Sequence, residues 1–289
     1  MNKKYYLPFI FLIILSLLTL LFSNFNRNKN LRNISSDNML LHFIDVGQGD
    51  SILVQVNNKN MLIDAGPADS RENLLDYLSL LNINNLDYVI ATHPHEDHIG
   101  NMAYIIDKYN VLNFYAPKIT NNTKSFETMV EALVRKDLKI NVIKAGIRSI
   151  SLGKNTKVEV FSPSSDNYEN INNYSPIIKI SHGNNSFLLT GDAEELIEKE
   201  VINSNYNLKS DLLKIGHHGS SSSTSKEFFY KVNPSITVIS VGKNNSYGHP
   251  TKKVLETIKN SKILRTDQKG TILILSDGKS LKMIDAPKI

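Results

Sequence analysis

His93, His95, Asp97 and His98 stand within one run, Thr92-His93-Pro94-His95-Glu96-Asp97-His98. Three imidazoles and a carboxylate at this spacing form a set of metal ligands. Imidazole and carboxylate suit zinc, manganese or iron, and two ions can share such a cluster. The chain has eight histidines in all, and three of them fall here, so a polar loop that collects histidines by chance is a poor account. A bound divalent ion lowers the pKa of water from about 15.7 to about 7 and supplies hydroxide at neutral pH. The same ion holds the oxygen that gains negative charge.

The elements that must position these groups follow from the apolar pattern. Residues 86–91 are apolar and β-prone, which places the cluster on the loop after a buried strand. Asp64, Asp192, His217 with His218, and His249 each follow another apolar run, so strand ends in two packed sheets can converge on one site. Strands are predicted at 40–44, 51–56 and 61–63, with Asn57-Asn58-Lys59-Asn60 as a hairpin turn. Asp69 or Ser70 caps a helix whose face is Leu74, Leu75, Leu78 and Leu81. A second helix, 125–136, turns Phe126, Met129, Val130, Leu133 and Val134 to the core. Further strands are expected at 142–143, 158–161, 176–180, 187–190, 212–215, 236–241, 271–275 and 280–284. Gly183-Asn184-Asn185 reads as a hairpin turn that leaves His182 on the surface, and a helix begins at Thr251. His42, inside the first strand, reads as a packed histidine. Gln48-Gly49-Asp50 forms a tight loop near the expected centre, and Ser220 opens a polar, flexible serine run.

With 289 residues and 41% hydrophobic content, the chain can bury a large core, and there is no cysteine. This excludes disulfides, zinc–thiolate sites and a cysteine-linked lipid anchor. The net charge of +5 is uneven: residues 1–38 carry +4, residues 251–289 carry +5, and −4 lies between. An acidic centre with basic flanks fits a polyanionic substrate, possibly DNA, or an anionic membrane surface. There is no tryptophan and no basic track interleaved with aromatics, so single-strand binding by base stacking is not expected. No protein partner can be inferred.

Lys3 and Lys4 precede an apolar run over residues 5–22, just long enough to span a bilayer. No small-residue cleavage site follows, so residues 1–22 read as an uncleaved anchor rather than a removed signal. The domain is expected on the outer face, or secreted if the segment is cut. Residues 23–38, rich in Asn and Ser, read as a flexible tether, and residues 39–289 as one α/β hydrolase domain.

The motifs Asp45-Val46-Gly47-Gln48-Gly49-Asp50, Leu62-Ile63-Asp64-Ala65-Gly66, Thr92-His93-Pro94-His95-Glu96-Asp97-His98, Leu189-Thr190-Gly191-Asp192 and His217-His218-Gly219-Ser220 together resemble the metallo-β-lactamase fold. More closely, they resemble the hydrolase domain of ComEC-type DNA-uptake proteins. The resemblance covers the chain from about Met39 onward. It implies an αββα sandwich of two mixed sheets with helices outside, here behind an N-terminal transmembrane helix. It also implies one or two divalent ions, zinc or manganese. His93 and His95 would bind one ion, Asp97 and His98 the other, and Asp192 would bridge them. His218 is the preferred last ligand, with His217 as its alternative or as a donor behind the ligands. Asp64 would orient a ligand. A further histidine common in two-metal members has only His182 as a candidate, and Asn173-Tyr174-Ser175 stands in its place. Asn173 is therefore a possible ligand, and full two-metal occupancy is not assured. His249 is assigned to phosphate binding or general-acid work, and Gln48 and Ser220 to substrate contact. The leading reading is a ComEC-like nuclease or phosphodiesterase. The alternatives are an envelope hydrolase of a smaller ester, lactone or teichoic-acid phosphodiester, and a non-catalytic DNA-binding module.

Overall fold

Consecutive residues of the central strands enter different cores, which is why these strands are apolar on both faces. The computed structural model describes Ile10, residues 12–15 and residues 34–287. In β1 (Met39–Phe43), β2 (Ile52–Val56) and β3 (Lys59–Ile63), Val54 and Ile63 face one apolar cluster while Leu53 and Leu62 face another. After α1 (Arg71–Leu80) come β4 (Tyr88–Ile90), α2 (Glu96–Ile99), α3 (Met102–Lys108), β5 (Phe114–Ala116), α4 (Lys124–Arg135) and β6 (Ile140–Val142). The second half holds β7 (Thr156–Val160), β8 (Ile178–His182), β9 (Asn185–Leu189), α5 (Glu195–Asn203), β10 (Leu212–Lys214), α6 (Lys226–Val232) and β11 (Ile236–Ile239). It ends with α7 (Lys252–Ile258), β12 (Lys262–Arg265), α8 (Thr266–Lys269), β13 (Ile272–Ser276) and β14 (Leu281–Ile284).

Among the described residues, an eight-stranded sheet runs β14-β13-β1-β2-β3-β4-β5-β6 and a six-stranded sheet runs β12-β11-β10-β9-β8-β7. Both are mixed. The pairs β3–β4, β4–β5 and β5–β6 are parallel in the first, and β9–β10, β10–β11 and β11–β12 in the second. One apolar cluster, with Leu41, Phe43, Ile180, Phe187 and Leu212, lies between the sheets. A second packs α1, α3 and α4 on the first sheet through Leu74, Ile105 and Met129. A third packs α5, α6 and α7 on the second through Ile197, Phe228 and Val254. Three cores separate four layers, so the αββα sandwich with mixed sheets is the observed architecture.

Several local expectations change. His182 is not a surface turn residue. The turn is shorter than expected, so His182 ends β8 opposite Asn185. It is 3% exposed, with Nδ1 2.9 Å from Ser276 Oγ and Nε2 2.9 Å from the Asp37 carbonyl. Run 86–91 divides at Asp87: Leu86 pairs with Val111 in a small separate bridge, and Tyr88 begins β4. Val134 is 75% exposed, because α4 turns Met129, Ala132 and Leu133 inward instead. Of the tether, residues 23–33 lie outside the described residues, while the Ser36 carbonyl accepts the Asn57 N–H. The anchor 5–22 also lies outside them except for Ile10 and residues 12–15, which are helical. No helix among the described residues is long and apolar enough to cross a membrane.

Candidate metal centre

Parallel strands bring their C-terminal ends to one edge of each sheet, and the two edges meet. Asp64 follows β3, the histidine cluster follows β4, Asp192 follows β9, and His217 and His218 follow β10. Oδ2 of the buried Asp192 is the hub. It lies 3.2 Å from His98 Nε2, 3.5 Å from His218 Nε2, 3.7 Å from His217 Nε2 and 3.8 Å from His93 Nε2. Asp97 Oδ2 approaches His218 Nε2 at 3.3 Å and His98 Nε2 at 3.9 Å.

The outer nitrogens of three rings are fixed, and this decides what the inner ones offer. His218 Nδ1 donates to the Ser240 carbonyl at 2.9 Å. His98 Nδ1 meets Asp64 Oδ2 at 2.8 Å. Asp64 also accepts the Thr92 N–H at 2.8 Å and the Thr92 hydroxyl at 2.7 Å. With that hydroxyl proton on Asp64, Thr92 Oγ1 can only accept from His93 Nδ1, 3.1 Å away. Each ring therefore turns Nε2, its ligating atom, inward. Asp64 so positions His98 directly and His93 through Thr92, and its φ is +59°. His217 and His218 are also left-handed, at +48° and +52°, a backbone cost of about 1–3 kcal/mol each that clusters at functional sites. This conformation splays their rings, with centroids 6.1 Å apart at 70°.

The titration of these groups follows from the geometry. Burial opposes charge on His98, yet Asp192, Asp97 and Asp64 outweigh it and hold that imidazole well above its ordinary value. His218 is raised in the same way: burial opposes it, while Asp192 and Asp97 prevail. Asp192 stays well below the usual carboxylate range despite burial, because His98 and His218 face it. Burial, then the charge on His98, pushes His93 well down. Burial likewise lowers the half-buried His95, whose Nδ1 lies 3.0 Å from His93 Nε2.

These residues fit a divalent ion. One donor atom each from Asp97, His98, Asp192 and His218 lie within 4.8 Å of one another. His98 Nε2, His218 Nε2 and Asp192 Oδ1 are buried with no hydrogen-bond partner. Such unpaired atoms cost about 1–3 kcal/mol each unless something binds them. His93 and His95 adjoin this set on one side of Asp192. His217 stands beside it with Nδ1 3.6 Å from Glu194 Oε1.

Other candidates are placed differently. Asn173 Oδ1 accepts the Glu194 N–H at 3.3 Å, so the amide oxygen expected to complete the first ion serves the backbone. Ser175, two residues on, stands behind His93: Oγ is 3.3 Å from His93 Nδ1 and accepts the Asp192 N–H at 3.2 Å. Gln48 Oε1 accepts the Gly242 N–H at 3.1 Å, and Ser220 Oγ pairs with Ser222 Oγ at 3.1 Å. Both brace loops. The end of the serine run packs into the domain, with Ser223 and Thr224 buried and Glu198 Oε2 accepting the Ser225 N–H at 2.9 Å. His249 lies on the long loop after β11. Its ring centroid is 5.7 Å from that of His217, and its buried Nδ1 has no partner. Burial, then His217 and His218, lowers its pKa. Sequence reasoning missed Lys214. This fully buried lysine pairs with Asp50 and reaches the Gly191 carbonyl at 3.3 Å. The signal was a lysine inside the apolar run 212–215.

The sequence profile of the Metallo-beta-lactamase superfamily matches residues 44–243. ComE operon protein 3 of Bacillus subtilis is 35% identical over 249 residues, 79% of this chain and 32% of that protein. Exodeoxyribonuclease YycJ of Bacillus anthracis is 33% identical over 87 residues, 29% of this chain and 33% of that protein. The chain spans about a third of the length of the curated relatives it matches. The crystal structure of the metallo-beta-lactamase fold protein YhfI from Bacillus subtilis superposes with a TM-score of 0.57 at 12% identity. It covers 82% of this chain and 100% of that one, and shows the shared fold.

Proposed function

The chain belongs to the metallo-beta-lactamase superfamily of hydrolases, and from that premise we propose that it cleaves phosphodiesters of nucleic acid. The observation that carries the reading is the line of groups from Asp192 through His217 to His249, whose Nδ1 is buried and unpartnered beside the metal-ligand set. Asp97, His98, Asp192 and His218 would hold a divalent ion, which would supply positive charge for phosphoryl oxygens and an activated water. His93 and His95 would help to hold a second ion. Asp64 and the Ser240 carbonyl keep the His98 and His218 rings in register for this. His249, its pKa lowered, meets the substrate as a neutral imidazole with one N–H to give to a phosphoryl oxygen. The relative named an exodeoxyribonuclease supports DNA as the polyanion.

The test uses purified protein with bis-p-nitrophenyl phosphate, single-stranded DNA and duplex DNA, each with Mn²⁺ or Zn²⁺. Metal-dependent cleavage is expected, with little hydrolysis of a β-lactam. Asp192→Ala should lose metal by elemental analysis together with activity. His249→Ala should keep its metal and lose about 10²- to 10³-fold in rate, the effect of removing one oriented donor. Protein that opens lactones or thioesters but leaves every phosphodiester intact overturns the reading.

We also propose that residues 5–22 hold the domain on the outer face of a membrane. Ile10, Leu12, Ile14 and Leu15 are helical and 47–61% exposed, an apolar surface of the kind that meets a membrane. Protease added to intact protoplasts should digest the domain. Protection, or a mature chain in the medium beginning near residue 24, counts against this.

A further inference from the structure

The loop after β11 carries a feature that phosphate chemistry alone does not use. Tyr247 is 69% exposed, and its ring stacks on His249 with centroids 5.7 Å apart and planes 24° apart. Lone exposed tyrosines need no explanation, and Tyr230 on α6 is equally exposed. Tyr247 differs in its place. It is the outermost of a series of rings that begins at the metal-ligand set, His217 to His249 to Tyr247, each step 5.7 Å.

The loop is built to present that ring. Gly248, at φ +70° with open space where a Cβ would stand, turns the chain so that residues two apart put their rings side by side. Asn245 Nδ2 donates to the Gly242 carbonyl at 3.0 Å and to the His249 carbonyl at 2.7 Å. Asn245 Oδ1 accepts the His249 N–H at 3.0 Å, and Gln48 ties Gly242 to the first half of the chain. One face of the Tyr247 ring lies against His249, and most of the residue is exposed. Lys243 is exposed on the same loop.

We infer that Tyr247 is a stacking platform for a nucleobase adjoining the scissile phosphate, so that the site selects single-stranded nucleic acid. The inference rests on the phosphodiesterase reading for where the phosphate lies. An unstacked base of the strand whose phosphate His249 meets can lie on the open aromatic face. Duplex bases are already stacked on their neighbours and cannot. No basic track interleaved with aromatics is needed, because one ring beside a phosphate site fixes a base by itself.

The test measures equilibrium binding to oligothymidylate, to an abasic phosphodiester strand of the same length and to the corresponding duplex, by fluorescence anisotropy in Ca²⁺. Oligouridylate run in parallel tells which sugar the site takes. Wild type should bind the base-bearing single strand more tightly than either the abasic strand or the duplex. Tyr247→Ala should weaken oligothymidylate binding about 5- to 150-fold and leave abasic binding and the melting temperature unchanged. Tyr247→Phe should bind like wild type. Equal losses on abasic and base-bearing strands, or a wild type indifferent to bases, overturn the inference. Base-dependent binding that needs Tyr247 in a protein inert toward all phosphodiesters would instead reject the proposed reaction and keep the platform.

Discussion

Lys214 is buried at the inner end of β10 and ends on Asp50, itself 2% exposed. Its Nζ also reaches the carbonyl of Gly191, the residue before Asp192, and Asp50 Oδ1 lies 3.7 Å from His218 Nδ1. One cation thus ties the loop after β1 to the turns that carry Asp192 and His218. A buried pair of this kind contributes little net stability, but removing one partner strands the other charge at about 3–5 kcal/mol. Lys214→Met should therefore melt well below wild type. Asp50→Asn combined with Lys214→Met should recover much of the loss, because no lone charge is then left. A double-mutant cycle from thermal unfolding reads the coupling. If the two losses simply add, the pair does not act as a unit.

At the scale of elements, the centre is a set of loops stitched to each other by backbone bonds. The Asp50 N–H donates to the Asp97 carbonyl at 3.2 Å, the Ala65 N–H to the His98 carbonyl at 2.7 Å, and the His217 N–H to the Gly191 carbonyl at 3.1 Å. Gly49 lies so near that a Cβ there would come within 2.2 Å of the Asp97 carbonyl oxygen, at a φ of +149°. Gly49→Ala should push the Asp97 turn outward and lower metal content, with the far-ultraviolet spectrum little changed. Undiminished metal by elemental analysis would show that the turn yields without moving its ligand. The residues that converge on the candidate centre were legible in the sequence because each sits in a short motif at a strand end, as Asp192 does after Leu189. Thr92, Ser175 and Lys214 were not, because their roles depend on contacts between distant segments. The Tyr247–His249 stack was missed because it depends on the left-handed turn at Gly248, which patterning of apolar residues does not report. His182 misled for a related reason: its partners Ser276 and Asp37 come from the two ends of the domain.

In the sandwich formed by the described residues the central strands are buried on both faces, and this sets how it meets acid. His42 lies one residue before the end of β1, near the centre of the larger sheet, fully buried. Its Nδ1 is 2.8 Å from the Tyr77 hydroxyl on α1, and its Nε2 has no partner. Burial pushes this imidazole from 6.5 down to about 3. The folded chain therefore keeps it neutral where the unfolded chain takes up a proton. Stability from this group is complete above pH 6.5, falls as the pH drops toward 3, and is lost below that. The slope is about 1.4 kcal/mol per pH unit inside the window. His93 and His95 are lowered too and add to the loss, while the raised His98 and His218 oppose it. The net curve of the wild type thus mixes signs, and a single variant isolates one contribution. His42→Gln can still bond Tyr77 but does not titrate. Urea unfolding in excess chelator at pH 7 and pH 5 should show wild type losing about 2 kcal/mol more than His42→Gln over that interval. Parallel losses in the two proteins would mean that His42 takes up its proton without unfolding the sandwich around it.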